Sequence, residues 1–376
     1  MPGSLTGGAG AAAPDPPAPL TLIAPPERHQ SWVRALLLSG IVLLAGAVLG
    51  AAGFGFEQSR ATWRPQVTAT SGGWRISTSH GLRLGGSALG GDHLAWEAGP
   101  FTLLTDLRSG RSRLLGAAAT AVSASAPSIS DRFVVWLEAP ASSAGAAVVW
   151  VYDIARGRRT RLDHVQGISR SPVVSGATAV WETDAAGPPQ IRGADLVTGR
   201  RFSLGASGGA ADLIISGTLV AWAAGRLDPT APPVITVVDL TDGRRWSIAP
   251  YAAAQGNDLL GLALAGRTLV WERASPATQI DQILAYDLDR ASVKTIAQAA
   301  DLVAPAADGD LVVWAQPSAG GGTQVSGVRL GGSEPFPIAS VSGGGVRSVL
   351  IGGRTVAWHV ADAWLFDTYL QTARLP

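Results

Sequence analysis

Residues 127–162 read PSISDRFVVWLEAPASSAGAAVVWVYDIARGRRTRL and contain four short strand-like segments joined by turn residues. The first segment leads into an apolar run that ends at Trp136, and a loop of small residues follows. A second apolar run, residues 148–154, leads through the turn Ala155-Arg156-Gly157 into the basic segment 158–162. The stretch therefore predicts one small antiparallel sheet of four strands.

The same unit recurs along most of the chain, and a tryptophan marks each copy. Each of these tryptophans ends an apolar run such as FVVW, TAVW or LVVW, and they lie 40, 45, 41, 49, 43 and 44 residues apart. The seven are Trp96, Trp136, Trp181, Trp222, Trp271, Trp314 and Trp358. A four-stranded unit with this period is typical of β-propellers. The sequence therefore predicts an all-β, seven-bladed β-propeller of four-stranded blades over residues 73–376.

The recurring residues have structural explanations. A four-stranded blade cannot bury both of its faces alone, so the seven tryptophans are predicted to be core wedges between adjacent blades. An aspartate also follows most of them by 10 to 17 residues, just before a turn. Its carboxylate is predicted to accept hydrogen bonds from backbone N–H groups of that turn. These aspartates are Asp106, Asp153, Asp195, Asp239 and Asp287.

The repeat unit resembles a known family. Its clearest copy, VVWVYDIARGRRTRL at residues 148–162, is similar to the TolB-like (WD40-like) propeller repeats of exported bacterial and archaeal proteins. The resemblance extends from Ser87 to Pro376. It lacks the Ser-Pro-Asp-Gly turn common in TolB-type blades, and no blade ends in Trp-Asp. The resemblance implies protein–protein contact at the cell envelope.

The sequence before the repeats has a different composition. Residues 1–31 are rich in Ala, Gly and Pro, which predicts a disordered tail. Residues 32–56 are predicted to form a transmembrane helix, because 35–56 carry no charge. At 1.5 Å per residue such a helix would be about 33 Å long, enough to cross a hydrocarbon core of roughly 30 Å. Residues 57–72 are interpreted as a linker.

Two questions about this segment stay open in the sequence. Gly50-Ala51-Ala52 would also suit the end of a cleaved signal peptide, although the preceding region is long for one. The arginines on the two sides do not decide the orientation by the positive-inside rule. Arg34, next to the apolar run, favours a cytoplasmic tail and an exported propeller. We therefore expect a single-pass membrane protein whose propeller is extracytoplasmic.

Composition excludes several classes of site. The chain has no cysteine, which rules out disulfides, thiolate ligands and a cysteine nucleophile. No two of its five histidines have metal-ligand spacing, and no metal or cofactor is predicted. A net charge of +1 without a basic block gives no indication of a nucleic-acid partner. The sequence contains no GxSxG, HExxH or Walker motif, so no catalytic residue is identified.

One set of polar residues is a candidate binding site. Acidic or imidazole side chains follow the periodic tryptophan by one residue in repeats one, three, five and seven, and by two in repeat two. By pseudo-symmetry they would lie at one level near the end of the second strand, forming a polar rim or pairing with local arginines such as Arg192 and Arg273. The set is Glu97, Glu138, Glu182, Glu272 and His359.

These observations favour an envelope protein-binding or scaffolding module that contacts the membrane through its N-terminal helix and binds another envelope protein. The alternative is an envelope hydrolase, lyase or lactonase with a site at the mouth of the central channel. Loops between second and third strands vary most between repeats, so their face is predicted to dock the partner. These loops are residues 139–147, 183–190, 223–233, 273–281 and 315–323.

The two ends of the chain are predicted to meet. Residues 73–84, GWRISTSHGLRL, have strand-like composition and precede the first full repeat, whereas the last repeat ends abruptly at Thr372-Ala373-Arg374-Leu375. We therefore expect the N-terminal segment to pair with the final blade as its outer strand and to close the ring.

Overall fold

The computed structural model describes residues 65–78, 84–117, 125–138, 146–165, 171–184, 187–224, 233–250, 258–275, 278–332, 334–342, 344–361 and 368–375. The tail predicted at 1–31 and the transmembrane helix predicted at 32–56 lie outside these residues. In the described ranges, no helix has the length and apolar character needed to cross a membrane.

The described residues form strands β1 to β29, which group into seven sheets. Blade 1 contains β3 (Leu84–Gly90), β4 (His93–Ala98), β5 (Phe101–Asp106) and β6 (Arg111–Ala117). Blade 2 contains β7 (Ser125–Ile129), β8 (Phe133–Glu138), β9 (Ala147–Asp153) and β10 (Arg158–Val165). Blade 3 contains β11 (Val173–Ser175), β12 (Thr178–Thr183), β13 (Gln190–Asp195) and β14 (Arg201–Ala206).

Blade 4 contains β15 (Ala211–Ser216), β16 (Leu219–Ala224), β17 (Val234–Asp239) and β18 (Arg245–Ile248). Blade 5 contains β19 (Asp258–Ala265), β20 (Thr268–Ala274), β21 (Asp281–Asp287) and β22 (Ser292–Ala299). Blade 6 contains β23 (Val303–Asp308), β24 (Leu311–Pro317), β25 (Thr323–Arg329) and β26 (Phe336–Val341). Blade 7 contains β27 (Gly345–Gly352), β28 (Thr355–Ala361) and β29 (Thr368–Arg374), together with β1 (Gln66–Thr70) and β2 (Gly73–Ser77).

The architecture is the predicted seven-bladed β-propeller. Each of blades 1 to 6 is an antiparallel sheet of four consecutive strands, with the first strand innermost. Alternate connections of such a sheet lie at opposite ends. We call the end with the first-to-second and third-to-fourth turns the turn face. The loop face carries the second-to-third loops and the connections between blades.

Blade 7 is built from both ends of the described chain. β2 pairs with β29 through Arg75–Gln371, Ile76–Leu370 and Ser77–Tyr369 and forms the fourth strand, which confirms the predicted ring closure. The closing strand is shorter than the predicted 73–84, because it ends at Ser77 and Leu84 begins β3 of blade 1. β1 then pairs with β2 as a fifth strand. The ordered sheet therefore begins at Gln66, inside the region 57–72 that the sequence suggested as a linker. Its alternating polar and small residues, QVTAT, gave too weak a strand signal to separate it from a linker.

The seven periodic tryptophans are wedges between blades, as predicted. Each lies on the second strand of its blade and is at most 2% exposed. Trp181 of blade 3 packs with Val135 and Val149 of blade 2, and Trp222 of blade 4 packs with Ile191 of blade 3. The same clustering with the preceding blade holds for Trp136, Trp271, Trp314 and Trp358. Each of these six indoles therefore fills one gap in the ring.

The outer rim has a second set of contacts between blades. In the turn-and-strand sequence Gly-Arg-Arg, the second arginine donates to a leucine carbonyl on the outermost strand of the preceding blade. Arg159 donates to Leu115 O at 3.2 Å and Arg245 to Leu204 O at 2.6 Å, and Arg201 makes the same bond to Leu162 O. These arginines join neighbouring blades far from the tryptophans.

Trp74 closes the outer rim at the seam of the ring. Its indole N–H donates to Leu107 O of blade 1 at 2.6 Å, and its backbone N–H donates to Thr372 Oγ1 of blade 7 at 2.9 Å. Gly110 of blade 1 has φ +68°, and a Cβ there would lie 2.7 Å from the Trp74 ring. Only glycine fits at this position, because the left-handed backbone and the indole both exclude a side chain.

The aspartates before the third-to-fourth turns cap those turns. Asp195 accepts hydrogen bonds from the N–H groups of Val197 and Thr198, both at 2.9 Å. These bonds favour the charged form, and those from Thr198 and Val197 lower the pKa of Asp195 most. Asp106, Asp153, Asp239 and Asp287 accept equivalent backbone bonds. The predicted structural role is confirmed.

Candidate functional site

The predicted polar set divides between the two sides of each blade. Residues directly after the tryptophan point away from it, because side chains alternate along a strand. Glu97, Glu182 and Glu272 therefore face the following blade, and they are 4%, 6% and 3% exposed. Glu138 lies two residues after Trp136 and faces the preceding blade. The structure buries these carboxylates in separate gaps between blades, where they do not converge.

Glu138 belongs to an ion pair at the gap between blades 1 and 2. Its carboxylate lies 2.6 Å from Arg159 Nη2 and accepts a bond from Trp136 Nε1 at 3.0 Å. The Arg159 guanidinium also stacks on Trp150, 3.6 Å from the ring centroid. A Cβ at Gly116 would lie 2.2 Å from Glu138 Oε1, so blade 1 approaches this group closely. The pairing with a local arginine is the structural alternative foreseen from the sequence, with Arg159 as the partner.

Glu182 anchors the connection between blades 3 and 4. Its Oε1 accepts a bond from Ala210 N at 2.8 Å and another from the Ser207 hydroxyl. Both donors lie in the segment that crosses from β14 to β15. A buried carboxylate with backbone and hydroxyl donors is a stable arrangement, and here it fixes one blade against the next.

Glu97 has the same position but a different environment. Its carboxyl lies beside the β-bulge of β3, where it accepts a backbone bond from Gly86. Within the described residues its Oε1 is buried without a hydrogen-bond partner. Burial raises the pKa of Glu97 from 4.5 to about 7, and the Gly86 bond offsets this only in part. Glu97 is therefore a protonated, neutral group in mildly acidic solution.

Glu272 and His359 are also shifted toward their neutral forms. Burial, and then the neighbouring Asp281, raise the pKa of Glu272 to about 7. Asp281 accepts a bond from Leu302 N at 3.2 Å and so anchors the connection to blade 6. Burial and then Arg347 lower the pKa of His359, whose Nε2 is buried without a partner in the described chain. Within that part of the chain, no three His, Asp or Glu side chains lie close enough together to hold a metal ion.

The innermost strands share a feature that the sequence analysis missed. Six of the seven, all except β11, contain a β-bulge close to the level of the periodic tryptophan. Gly261 in blade 5 and Asp212 in blade 4 occupy these bulges with φ of 53° and 54°. A bulge increases the local twist of a strand. Gly85-Gly86 and Gly261 were the available signals, but single glycines in strands are too common to predict a repeated bulge.

The central channel contains a cavity of about 670 Å³. All seven innermost strands line it, and its walls combine polar groups with apolar side chains, among them Leu89, Ile129, Val174, Leu262 and Ile351. Each of these strands is the edge of its sheet, so its outward N–H and C=O groups also face the channel. The cavity thus combines apolar side chains with backbone hydrogen-bonding groups.

Glycine occupies the tip of most of the turns at the turn-face mouth of this cavity. In six of the seven first-to-second turns, all of them described, the first central residue is a glycine with φ between 54° and 60°. These are Gly91, Gly176, Gly217, Gly266, Gly309 and Gly353. In blade 2 the same position is Asp131, whose side chain is exposed and lines the cavity. Asp131 was not singled out from the sequence, because an aspartate in a turn is ordinary there.

Several other charged groups on the turn face form ion pairs. Asp92 lies 2.5 Å from Arg108 and 3.7 Å from Arg374, and Arg132 lies 3.0 Å from Asp153. Further pairs on this face are Arg267–Asp239, Arg267–Asp289, Arg290–Asp287 and Arg329–Asp310. Among the described residues, no ion pair joins Asp131 to a basic side chain.

Comparison with known proteins supports the fold. No family model matches the sequence, and a search of the curated proteins found no match. Among solved structures, the β-propeller domain of the Trilobed protease from Pyrococcus furiosus, described as having an open velcro topology, matches with a TM-score of 0.58 and 11% identity. The match covers 78% of this chain and 98% of that one. In this chain, by contrast, β2 closes the ring.

Enzymes of two kinds contain similar propellers. An oligogalacturonate lyase from Vibrio parahaemolyticus matches with a TM-score of 0.57 and 9% identity, over 84% of this chain and 97% of that one. An acylaminoacyl peptidase from Pyrococcus horikoshii matches with a TM-score of 0.55 and 12% identity, over 78% of this chain and 52% of that one. This chain therefore spans about half the length of the peptidase. At these identities the likeness concerns the fold alone.

TolB from Acinetobacter baumannii is also among the similar structures. Its TM-score is 0.42 at 12% identity, and the match covers 81% of this chain and 78% of that one.

Proposed function

We propose that this chain is a membrane-anchored, extracytoplasmic protein-binding or scaffolding module of the cell envelope. The observation that carries the proposal is the difference between the two faces of the ring. On the loop face, the second-to-third loop changes from residues 99–100 in blade 1 to residues 225–233 in blade 4. On the turn face, the first-to-second turn has two residues in six of the seven blades.

A rigid ring with loops of unequal length on one face is suited to recognition. Loops that only connect strands can all be short, as the turn face demonstrates, whereas binding residues concentrate on variable loops held by a rigid scaffold. Residues 139–145 and 225–232, which make up most of the two longest loops, lie outside the described residues. The docking face is therefore argued from strand bounds and sequence.

A comparison of loop variants tests the proposal. Partners of the tagged full-length chain are recovered from cross-linked envelopes and identified by mass spectrometry. In one variant, residues 139–146 and 225–233 are each replaced by a two-residue turn. The matched control replaces the turn 196–200 of blade 3 by the turn 154–157 of blade 2. We expect the first variant to lose partners that the control retains. If both keep the same partners, or only the control loses them, the proposal is wrong.

Membrane anchorage and export have their own test. We expect the chain to stay in carbonate-washed membranes, because residues 35–56 carry no charge. External protease should leave the propeller intact in whole cells and cut it once the outer barrier is opened. Cleavage that requires opening of the inner membrane would place the propeller in the cytoplasm and overturn this part of the proposal.

An envelope hydrolase, lyase or lactonase is the second candidate. The observation in its favour is the central cavity of about 670 Å³, which is within the size range of small-molecule sites. Serine and carboxylate groups at its turn-face mouth, including Ser175, Ser216 and Asp308, would supply the polar chemistry. Loss of a measured hydrolytic or lyase activity on Asp308→Asn, with an unchanged melting temperature, would favour this candidate over the first.

A further inference from the structure

A groove lies beside the central cavity at the turn face. It has a volume of about 330 Å³, lies over blade 1 and is lined by Asp92, His93, Asp106 and Arg108. Gly90, Gly91 and Asp131 line both the groove and the central cavity, so the two spaces adjoin at these residues. Asp131 therefore lies at their junction.

One carboxylate in the groove has neither an ion pair nor a hydrogen bond within a turn among the described residues. Asp92 is engaged by Arg108 and Arg374. Asp106 accepts bonds from Arg108 N at 2.8 Å and Ser109 Oγ at 2.9 Å within its own turn. Asp131, in contrast, is exposed and has no ion pair with a described basic residue. Asp131 is therefore the groove carboxylate that is open to a cationic partner.

The bare turn of blade 1 keeps this carboxylate accessible. A Cβ on Gly91 would lie 3.0 Å from Asp131 Oδ1, so any side chain there would crowd the carboxylate. Gly91 also has φ +57°, which favours glycine for a separate reason. Inward from the carboxylate, the cavity wall is apolar at Leu89 and Ile129. The junction thus places an anionic group beside apolar side chains of the cavity wall.

We propose that this junction binds a lysine or arginine side chain of a protein partner, with an adjacent apolar residue of the same segment in the cavity. The proposal rests on the proposed protein-binding function and adds a second contact on the turn face. Charge complementarity indicates a cationic occupant, because Asp131 is an exposed carboxylate that could form an ion pair with it. The backbone edges of β3 and β7 supply hydrogen-bonding groups for an extended segment.

Labelled peptides test the proposal directly. Four peptides share the sequence Gly-Leu-Xaa-Leu-Gly, with lysine, arginine, glutamine or glutamate at the centre. Binding to the full-length protein in detergent is measured by fluorescence anisotropy. We expect the lysine and arginine peptides to bind, the glutamate peptide not to bind, and the affinity to fall as salt is raised.

Two protein variants locate the binding site. We expect Asp131→Asn to lower the affinity for the lysine peptide about fivefold, which is in the range of a partly exposed ion pair. Asp184→Asn is the matched control, since it makes the same charge change at an exposed residue on the loop face. Equal affinities for Asp131→Asn and the unaltered protein, or no binding of either cationic peptide, would overturn the inference.

The outcome is separable from that of the proposed function. If Asp131→Asn retains the cross-linked envelope partners but the peptides fail to bind, the turn-face site is wrong and the scaffold proposal stands. If the peptides bind and the loop variant retains its partners, the loop-face proposal is wrong and the turn-face site stands.

Discussion

Glu97 and Glu182 show how one sequence position acquires different chemistry in different blades. Both directly follow a periodic tryptophan and face the next blade. Glu182 finds donors in Ser207 and Ala210, whereas Glu97 has a backbone bond from Gly86 and one oxygen buried without a partner in the described chain. The difference lies in the neighbouring segments, and it changes how stability depends on pH.

We predict that Glu97→Gln removes part of the pH dependence of stability. The Glu97 pKa is about 7 in the folded protein against 4.5 when unfolded, so the folded state holds the proton more tightly. Stability is therefore highest below pH 4.5 and falls as the pH rises to about 7, by up to about 3 kcal/mol from this group. The neutral glutamine avoids this loss.

Melting temperatures at pH 5 and pH 8 measure the effect. Relative to the unaltered protein, Glu97→Gln should gain several degrees at pH 8 and much less at pH 5. Glu334→Gln, at an exposed glutamate, should shift neither value. Parallel pH curves for Glu97→Gln and the unaltered protein would contradict the prediction.

At the scale of elements, the seam of blade 7 depends on strand β2. Three residue pairs join β2 to β29, and the Trp74 indole joins β2 to blade 1. The interaction brings together residues almost 300 positions apart. Because the chain between them forms the whole ring, the loss of this strand opens the ring.

We predict that a disulfide across the seam stabilises the ring. Arg75 and Gln371 are directly paired, and the chain has no other cysteine to interfere. The double variant Arg75→Cys, Gln371→Cys should form the disulfide and raise the melting temperature. The cross-link lowers the entropy of the unfolded chain, which stabilises the folded state by a few kcal/mol. Calorimetry with and without a reductant measures the gain.

The reductant is the internal control, since the reduced variant should melt near the unaltered protein. Deletion of residues 73–84 should have the opposite effect and lower the melting temperature sharply. If the cysteines stay reduced under oxidising conditions, β2 is not the fourth strand of blade 7. An unchanged melting curve after the deletion would mean that Thr372-Ala373-Arg374-Leu375 closes the blade unaided.

For the whole molecule, every gap between blades 1 to 7 is filled by a tryptophan of the following blade. No blade is an independent core, because its apolar residues pack in clusters shared with neighbouring blades. The ring closure then couples the first blade to the last. The propeller is therefore expected to unfold as one cooperative unit.

We predict that Trp222→Ala lowers the stability of the entire ring. Trp222 is 2% exposed and packs with Val180 and Ile191 of blade 3, so its removal leaves a cavity costing about 3–5 kcal/mol. Calorimetry should show one transition at a lower temperature. Trp246→Ala, at a half-buried outer-strand tryptophan, should cost less. Two separate transitions for Trp222→Ala would contradict the cooperative ring.

The number and composition of the blades can be read from the sequence alone. A wedge such as Trp181 and a turn cap such as Asp195 act within one repeat or between adjacent repeats, so their period is visible along the chain. The composition of residues 73–84 also indicated the closing strand. The short strand β1 was missed, because a five-residue segment without a strong apolar pattern is stabilised by its pairing with β2.

The environment of each polar group, in contrast, depends on how the blades pack together. Glu138 and Glu182 looked alike in sequence, yet one meets Arg159 and the other a connection between blades. The position of Asp131 among six glycines became meaningful when the seven turns were brought around one channel. Burial, pKa and access depend on distances between blades, and these distances are set by the closed ring as a whole.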